Sequence, residues 1–332
     1  MSTAGPPQGT NRSPSGGSAA AQAASVGAVS IRSLLDQPES RFPLDLGIRI
    51  PKIRELYRIA TAKQWDPLKA IPWDTLRPAD YTEEQRLAAR MYWSRRTWSE
   101  YGAISESPAL QIRFCQQKHE PDLRFFFTLR TQEESRHAEV SYLFAEKLGG
   151  YIAEPKKAAF QTSVATHGVR KMALDLDMPL EATIASLVCA AEELAFDMIH
   201  HVAKVSKNPA ARTIFKLIAR DEVRHCAFGW YFMEHRIPAM SREEILRVQQ
   251  ATEFMIEKVY LNGYQESWLA PDTPAARDEI EADRITYEAG LGATIEPLQK
   301  PVFIATVKRV RKLMEPWGFT LKPFYHPKLG TI

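Results

Sequence analysis

The chain has 332 residues, enough to bury a large hydrophobic core, and its length permits one or two domains. Its 45% hydrophobic and 25% charged residues are ordinary for a globular protein, and a formal net charge of +3 is too small to indicate a nucleic acid or an acidic membrane as partner. No apolar run approaches the roughly 18 residues of a membrane-spanning helix. The three cysteines (Cys115, Cys189 and Cys226) are far apart, which argues against a disulfide framework and predicts a cytoplasmic protein.

The N-terminal part of the chain predicts a tail followed by a peripheral helix. Residues 1–28 are mostly Ser, Ala, Gly, Pro and Gln. Such a segment buries too little apolar surface to offset its ordering entropy, so we predict a disordered tail. Residues 29–81 are expected to contribute one helix, at 53–64, and a connector rich in Trp and Pro that packs on the rest of the protein.

Helical patterns continue from residue 82 almost to the end, and alternating strand-like patterns are nearly absent. Two capping boxes, Thr82-Glu-Glu-Gln85 and Ser241-Arg-Glu-Glu244, mark helix starts. The predicted long helices span residues 82–117, 121–149, 180–206 and 211–235. Shorter or later helices are predicted at 157–174, 241–268, 274–289 and 294–315, followed by an extended end at 316–332. The sequence therefore predicts an all-α protein, with residues 239–332 completing the same domain as residues 82–238.

Two of the long helices contain the same short pattern, a carboxylate followed three residues later by an imidazole. The pattern is Glu134-Ser-Arg-His137 in the second long helix and Glu222-Val-Arg-His225 in the fourth. Residues at i and i+3 lie on one helix face, so both side chains of a pair can bind one metal ion. Two such pairs, with one inward Glu from each of two further helices, form the dimetal centre of a ferritin-like four-helix bundle. We therefore predict this bundle, with additional N- and C-terminal helices.

Helical periodicity places both pairs on apolar faces. The face of Glu134 and His137 also contains Leu123, Phe127, Ala138 and Leu148. The face of Glu222 and His225 also contains Phe215, Ile218, Gly229 and Phe232. A buried carboxylate without a partner is very unfavourable, so these positions favour a bound cation over a surface ion pair.

The third long helix offers two adjacent candidates for a further ligand, Glu192 and Glu193. At about 100° per residue they point in different directions. Glu193 shares its face with Asp197, His200 and Lys204, which indicates a solvated stripe. Glu192 shares its face with Val188, Ala195, Ile199 and Ala203, all of them apolar. This pattern favours Glu192, with Glu193 as the alternative.

The first long helix offers Glu100 and Glu106, and the faces of both are mixed. Glu106 lies two residues before Pro108, where regular helix geometry is expected to break. Glu100 lies well inside regular helix, so we favour it and keep Glu106 as the alternative. The predicted metal ligands are therefore Glu100, Glu134, His137, Glu192, Glu222 and His225.

Three neighbouring residues have predicted supporting roles. Asp221 can accept a hydrogen bond from the non-ligating nitrogen of His137, and Glu133 can do the same for His225. Such bonds fix the tautomer and orientation of a metal-binding imidazole. Phe196, one turn beyond Glu192, is a candidate for the wall of a substrate pocket.

The motifs resemble those of ferritin-like di-iron oxidases and oxygenases. Glu-Glu-Ser-Arg-His at 133–137 and Asp-Glu-Val-Arg-His at 221–225 are similar to the paired motifs of acyl-carrier-protein desaturases and bacterial multicomponent monooxygenases. Over residues 80–235 the chain is most similar to the p-aminobenzoate N-oxygenases. Their Arg-Asp-Glu-x-x-His resembles residues 220–225, and their Ala-Glu resembles residues 191–192.

The same resemblance extends to the first long helix, with two departures. Ser99-Glu100 ahead of Pro108-Ala109 is similar to the first ligand motif of the N-oxygenases, although the intervening length differs, which keeps Glu106 open. Those enzymes also have a His ligand four residues before the Glu of the fourth helix, where this chain has Ile218, which cannot coordinate a metal. The resemblance thus implies a six-ligand centre and activation of O2, without specifying the substrate.

We therefore predict a non-haem di-iron oxygenase or oxidase that uses O2 to hydroxylate, N-oxygenate or desaturate a small organic substrate, as in a biosynthetic pathway. Carboxylates with two imidazoles suit iron or manganese, so we expect two Fe ions, with a Mn/Fe pair as the alternative. No flavin, nicotinamide or iron–sulfur motif is visible, so an external ferredoxin or reductase is expected to supply electrons. A homodimer is a further expectation. The alternatives are a ferritin- or rubrerythrin-like protein that oxidises iron or scavenges peroxide, and a non-enzymatic helical scaffold.

Overall fold

The residues that the structure describes fold mainly into helices. The computed structural model describes residues 46–153 and 172–332, so the predicted tail at 1–28 lies outside the described residues. The predicted helix at 157–174 also lies outside them, except for residues 172–174, which are helical.

Nine α-helices and two very short strands are present in the described ranges. The helices are α1 (Pro51–Ala62), α2 (Glu83–Gln116), α3 (Pro121–Lys147), α4 (Leu180–Ile184), α5 (Glu192–Val205), α6 (Pro209–Arg236), α7 (Arg242–Phe254), α8 (Pro274–Glu288) and α9 (Glu296–Met314). A π-helical segment, Ala185–Ala191, joins α4 to α5 without a break. The strands β1 (Tyr325–His326) and β2 (Gly330–Thr331) form one antiparallel hairpin. The predicted all-α class is confirmed.

Capping residues and prolines determine where the long helices begin. The hydroxyl of Thr82 accepts a hydrogen bond from the backbone N–H of Gln85, whose side chain accepts one from the backbone N–H of Thr82. Pro121 occupies the first turn of α3, where its missing N–H costs no helical hydrogen bond. Asn208 caps α6 by accepting hydrogen bonds from two backbone N–H groups of the first turn. These local sequence features produce the predicted starts of the helices.

Four helices form the bundle, and the others pack around it. α2 packs mainly on α3, and α5 packs on α6. Outside this bundle, α1 packs on α3 and α6, α8 on α2, and α9 on α5. The described residues belong to one compact unit. No helix in the described part is both long and apolar enough to cross a membrane.

Two hydrophobic clusters fill the core, and the motif residues lie between them. On α3, Phe127 belongs to one cluster and Phe144 to the other. On α6, Phe228 and Phe215 are divided between the same two clusters. The Glu-x-x-His pair of each helix occupies the intervening turns, so the bundle carries a polar layer inside an otherwise apolar interior.

α7 is shorter than the predicted helix at 241–268. Its backbone continues through a π-helical segment, Met255–Val259, and a 3₁₀ turn, Tyr260–Asn262, and then ends at Gly263. Gly263 has a φ of +85°, and a Cβ there would lie 2.5 Å from the Cβ of Ala270. Glycine is therefore required for both the left-handed conformation and the close approach. The turn leaves Tyr260 buried, and its hydroxyl donates a 2.7 Å hydrogen bond to the carbonyl of Ala191.

Candidate metal centre

Six side chains meet in the middle of the bundle, in two overlapping groups. The first group has donor atoms within 4.8 Å of one another and consists of Glu100, Glu134, His137 and Glu222. The second group has the same maximum spacing and consists of Glu134, Glu192, Glu222 and His225. Glu134 and Glu222 belong to both groups. Two ion positions that share two carboxylates are the arrangement expected of a dimetal centre in a bundle.

Each helix of the bundle contributes to these groups. α2 provides Glu100 and α5 provides Glu192, whereas α3 and α6 each provide one Glu-x-x-His pair. Only 2% of Glu134 and 3% of Glu222 is exposed to solvent, and both imidazoles are fully buried. The groups are therefore withdrawn from water, where uncompensated carboxylates are unfavourable.

The imidazole of His137 presents its two nitrogens to different partners. Its Nδ1 lies 3.3 Å from Oε1 of Glu222 and 3.6 Å from Oε2 of Glu134. This buried atom has no hydrogen-bond partner among the described residues. Its Nε2 lies 3.4 Å from Oδ2 of Asp221. A hydrogen bond from Nε2 to Asp221 leaves the lone pair on Nδ1, which faces the first group.

His225 is oriented in the same way toward the second group. Its Nδ1 lies 3.0 Å from Oε2 of Glu222, and its Nε2 lies 2.9 Å from Oε2 of Glu133. The structure therefore places Asp221 and Glu133 against the two imidazoles, at the positions expected of groups that orient metal-binding histidines.

A ring of cationic and polar side chains surrounds these two outer carboxylates. Arg224 donates hydrogen bonds to both Glu133 and Asp221, and Arg136 approaches Asp221 at 3.4 Å. The indole Nε1 of Trp65 donates a 2.7 Å hydrogen bond to Oδ2 of Asp221. Burial raises the pKa of Asp221, but the hydrogen bonds from His137, Trp65 and Arg224 outweigh it and hold the pKa well below its usual range. Asp221 therefore stays ionised as an acceptor for the imidazole.

Electrostatics keep the shared carboxylates ionised in spite of their burial. Burial acts to raise the pKa of Glu222, but His225 and His137 outweigh it and hold that pKa well below normal. Burial acts to lower the pKa of His225, but Glu222 and Glu133 outweigh it and raise that pKa to about 10. The pKa of Glu100 is raised to about 7, mainly by burial. The two shared carboxylates thus keep their negative charge inside the bundle, and the oxygen and imidazole donors of the centre are of the kind that fit iron or manganese.

The structure places both alternative ligands, Glu193 and Glu106, outside the two groups of donor atoms. Glu193 lies outside both groups: its Oε1 accepts a 2.6 Å hydrogen bond from Trp230, and its Oε2 forms a 2.5 Å ion pair with Arg309. The expectation of a solvated stripe holds for His200 and Lys204, which are exposed, but it was wrong for Glu193, which α9 covers and leaves only 8% exposed. Glu106 is buried and also lies outside both groups, on a helix that continues through Pro108.

Two arginines at the centre were missed by the sequence analysis. Arg96 donates a hydrogen bond to Glu100. Arg130 donates to Glu192 and also lies 3.0 Å from Glu134. Each arginine precedes a predicted ligand by four residues, a spacing that brings the two side chains together on a helix. That spacing was available in the sequence, but it equally describes an exposed ion pair.

A cavity adjoins the two groups. Its apolar wall consists of Leu110, Leu187, Val188, Ala191, Ala195 and Ile199, and Tyr260 and Tyr264 also line it. Phe196 is not part of this wall, contrary to the prediction, and instead stacks on His200 with ring centroids 5.7 Å apart. The cavity side of α5 follows Glu192, Ala195 and Ile199, which leaves Phe196 on the neighbouring face.

The start of α5 is held by a close helix contact. Gly229 of α6 faces the π-helical segment that ends at Ala191, and a Cβ at Gly229 would lie 3.0 Å from Sγ of Cys189 and 3.1 Å from the carbonyl carbon of Val188. Glu192 follows this segment directly. Short π-helical stretches are frequent at functional sites, where they displace a side chain from regular helical register.

The comparisons with known proteins relate the chain to one group of oxidases by fold. No family model and no curated protein matches the sequence. A solved structure of an R2-like ligand-binding oxidase with an aerobically reconstituted metal cofactor, after photoconversion, is 14% identical with a TM-score of 0.60 and covers 82% of this chain and 99% of its own. Another, with an aerobically reconstituted Mn/Fe cofactor, is 13% identical with a TM-score of 0.60 and covers 82% and 98%. The chain therefore shares the ferritin-like helical fold of these R2-like oxidases.

Proposed function

We propose that this protein is a non-haem dimetal oxidase or oxygenase that uses O2 to oxidise a small organic substrate. The observation that carries the proposal is the pair of overlapping groups that share Glu134 and Glu222. The R2-like oxidases of the same fold contain Mn/Fe cofactors, which supports a cofactor of two iron ions or one manganese and one iron. The likeness to the p-aminobenzoate N-oxygenases in particular remains a prediction from the motifs.

In this proposal the two groups hold one ion each. Glu100 and His137 would hold the first ion and Glu192 and His225 the second, and Glu134 and Glu222 are near enough to serve both. When bound, the reduced metals supply the electrons that activate O2, chemistry that protein side chains cannot perform. Asp221 and Glu133 accept hydrogen bonds from the Nε2 atoms and so orient each imidazole with its Nδ1 toward the ion that it would bind.

The adjoining cavity supports an organic substrate with an apolar part. The cavity lies beside Glu134, Glu192 and Glu222, and aliphatic side chains of α2, α5 and the π-helical segment line part of its wall. Side chains of this kind exclude water and position an apolar substrate next to the centre. An iron-storing protein needs no such cavity, so this feature favours substrate oxidation. Hydroxylation, N-oxygenation and desaturation are all compatible with this geometry, as is a place in a biosynthetic pathway.

The proposal includes partners and a location that follow from the sequence. The chain has no flavin or iron–sulfur motif, so a ferredoxin or a reductase supplies electrons from outside. We also propose a homodimer. All three cysteines have free thiols, which supports a cytoplasmic location.

Metal analysis and O2 consumption test the function directly. We expect about two metal ions per purified chain, and O2 uptake when a reductant is supplied. The double variant Glu222→Ala/His225→Ala removes a shared carboxylate and an imidazole, so it should lose both the metal and the O2 uptake. Unchanged metal content in this variant would contradict the proposal, and a scaffold would contain no stoichiometric metal even before mutation.

Neighbouring carboxylates provide matched controls. Glu192→Gln should reduce the metal content toward one ion per chain, whereas Glu193→Gln should retain two, because Glu193 bonds Trp230 and Arg309 outside the centre. Adding excess Fe(II) in air distinguishes the ferritin-like alternative. A storage protein keeps oxidising iron through many equivalents, and the proposed enzyme stops after it has filled its two positions.

A further inference from the structure

Arg130 contacts two carboxylates of the centre with a single nitrogen. Its Nη2 atom donates to Oε1 of Glu192 and lies 3.0 Å from Oε1 of Glu134. Its Nη1 donates to the hydroxyl of Ser107, and the whole residue is buried. Both carboxylates belong to the second group, and Glu192 belongs to that group alone. The guanidinium therefore bonds half of the donors that a cation in the second group would need.

Arg96 provides the comparison within the same centre. It pairs with Glu100, which belongs to the first group alone. Among the ion pairs of the described residues, Arg96 therefore contacts one carboxylate of the centre and Arg130 contacts two. The corresponding positions on the other two bundle helices, four residues before Glu192 and Glu222, hold the uncharged Val188 and Ile218. The two arginines therefore contact the carboxylates of the two groups unequally.

We propose that Arg130 is a positioning residue for metal loading, which makes the first group bind its ion earlier and more tightly than the second. This inference rests on the proposed function, since it assumes that both groups bind metal. An ion entering the second group must take carboxylate oxygens away from Arg130 and then remain close to its positive charge. An ion entering the first group displaces the contact between Arg96 and Glu100. It can use Oε2 of Glu134, which lies 3.6 Å from Nδ1 of His137, and leave Oε1, which lies 3.4 Å from Nδ1 of His225, with Arg130. A charge-assisted hydrogen bond corresponds to about a tenfold to hundredfold difference in affinity, which sets the expected gap between the two steps.

A titration of the full-length, chelator-treated protein with Mn(II) alone tests this order. Calorimetry should show two binding steps, with the second Kd at least about tenfold weaker than the first. At one equivalent, the electron paramagnetic resonance spectrum should be that of isolated Mn(II), because few chains then hold a coupled pair. Neither readout depends on enzyme activity.

Removing the charge of Arg130 should bring the two steps together. In Arg130→Gln the second Kd should tighten by about tenfold while the first changes little, and coupled Mn(II) pairs should appear at one equivalent. The matched variant Arg96→Gln acts on the first group, so it should tighten the first Kd and widen the gap. An unchanged or weaker second Kd in Arg130→Gln would overturn the inference.

A conservative variant covers the case in which Arg130→Gln does not fold. Arg130→Lys retains a cation but loses the planar fork that reaches Ser107 and both carboxylates at once. Its second Kd should tighten several-fold, and an unchanged value would again refute the role of Arg130. A wild-type protein that binds no Mn(II) in stoichiometric amounts would defeat the proposed function itself. Two equal steps that no arginine variant alters would defeat this inference alone.

Discussion

Two buried clusters of charged side chains in the described part of the chain differ in how far burial raises the pKa values of their carboxyl groups. In the dimetal centre, imidazoles and arginines lower the pKa values of Glu134 and Glu222 in spite of burial. The second cluster, which we call the α8 cluster, consists of Arg95, Glu266, Glu279 and Asp283. There Arg95 forms ion pairs of 2.9 Å with Glu279 and 2.7 Å with Asp283.

In the α8 cluster, the effect of burial on the pKa values of the carboxyl groups outweighs that of the ion pairs with Arg95. It raises the pKa values of Glu279 and Asp283, and it raises that of Glu266 to about 7. One arginine there faces three carboxyl groups, so protonation is favoured, and Glu266 is partly protonated near pH 7. The candidate dimetal centre instead keeps its two shared carboxylates, Glu134 and Glu222, ionised, although burial raises the pKa values of Glu100 and Glu192 there. Ionised carboxylates are the form that binds metal. The comparison teaches that burial alone does not make a metal site, because imidazoles are also needed to hold the charge in place.

Among the variants that test this comparison, Arg95→Met is expected to have the largest effect. The change leaves Glu279 and Asp283 buried without their cation, which should reduce the free energy of unfolding by about 3–5 kcal/mol. Urea denaturation of the chelator-treated protein measures this loss. Metal content should stay at the wild-type value, and a loss of metal would show that the two clusters are not independent. The control Arg77→Met removes an exposed pair with Asp80 and should have little effect on stability.

A pH series with Glu266→Gln should produce a somewhat smaller effect. The folded protein prefers protonated Glu266, so this group stabilises the fold below its usual pKa of 4.5, and the stabilisation is lost as the pH rises through about 7. Glutamine does not ionise, so the variant should become more stable than wild type by up to about 3 kcal/mol as the pH rises across this window. Unfolding free energies measured at several pH values test this result. Parallel curves for the two proteins would show that Glu266 ionises freely.

The smallest effect is expected from Asp221→Asn. Loss of the negative charge weakens the hydrogen bond that orients His137, so metal binding should weaken by about 10- to 100-fold. A competition titration with a chelator measures this change. The matched variant Asp283→Asn neutralises a carboxyl group of the α8 cluster and should leave the metal affinity unaltered. Equal effects of both variants would mean that a general loss of negative charge, and not the contact with His137, is responsible.

The sequence predicted the fold because its strongest features are local. The capping box at Thr82, Pro121 and the cap at Asn208 each act within one helical turn, and the structure has helices that begin there. The end at Gly263 of the helical run that continues α7 was not predicted, because that glycine is required by contact with Ala270 as well as by its own φ angle. A contact between segments is not visible in a pattern of single residues.

The convergence of the six side chains could be foreseen for a similar reason. Residues three apart on a helix share a face, so the two Glu-x-x-His pairs restrict their own geometry. The burial of Glu193 depends on Arg309 of α9, more than 100 positions away, and the sequence offered no means of pairing them. The contact of Arg130 with Glu192 likewise joins two helices. Interactions between helices were thus the part that the sequence left undetermined.

Gly229 has a consequence for how this sequence can vary. Its missing side chain allows α6 to approach the backbone immediately before Glu192, and any larger residue would have to push Cys189 and Val188 outward. Selection at this position would therefore act on a distance between helices, although no chemistry takes place there. A screen of random substitutions measures this requirement, and intolerance at position 229 would report the spacing of two helices rather than a role in the reaction.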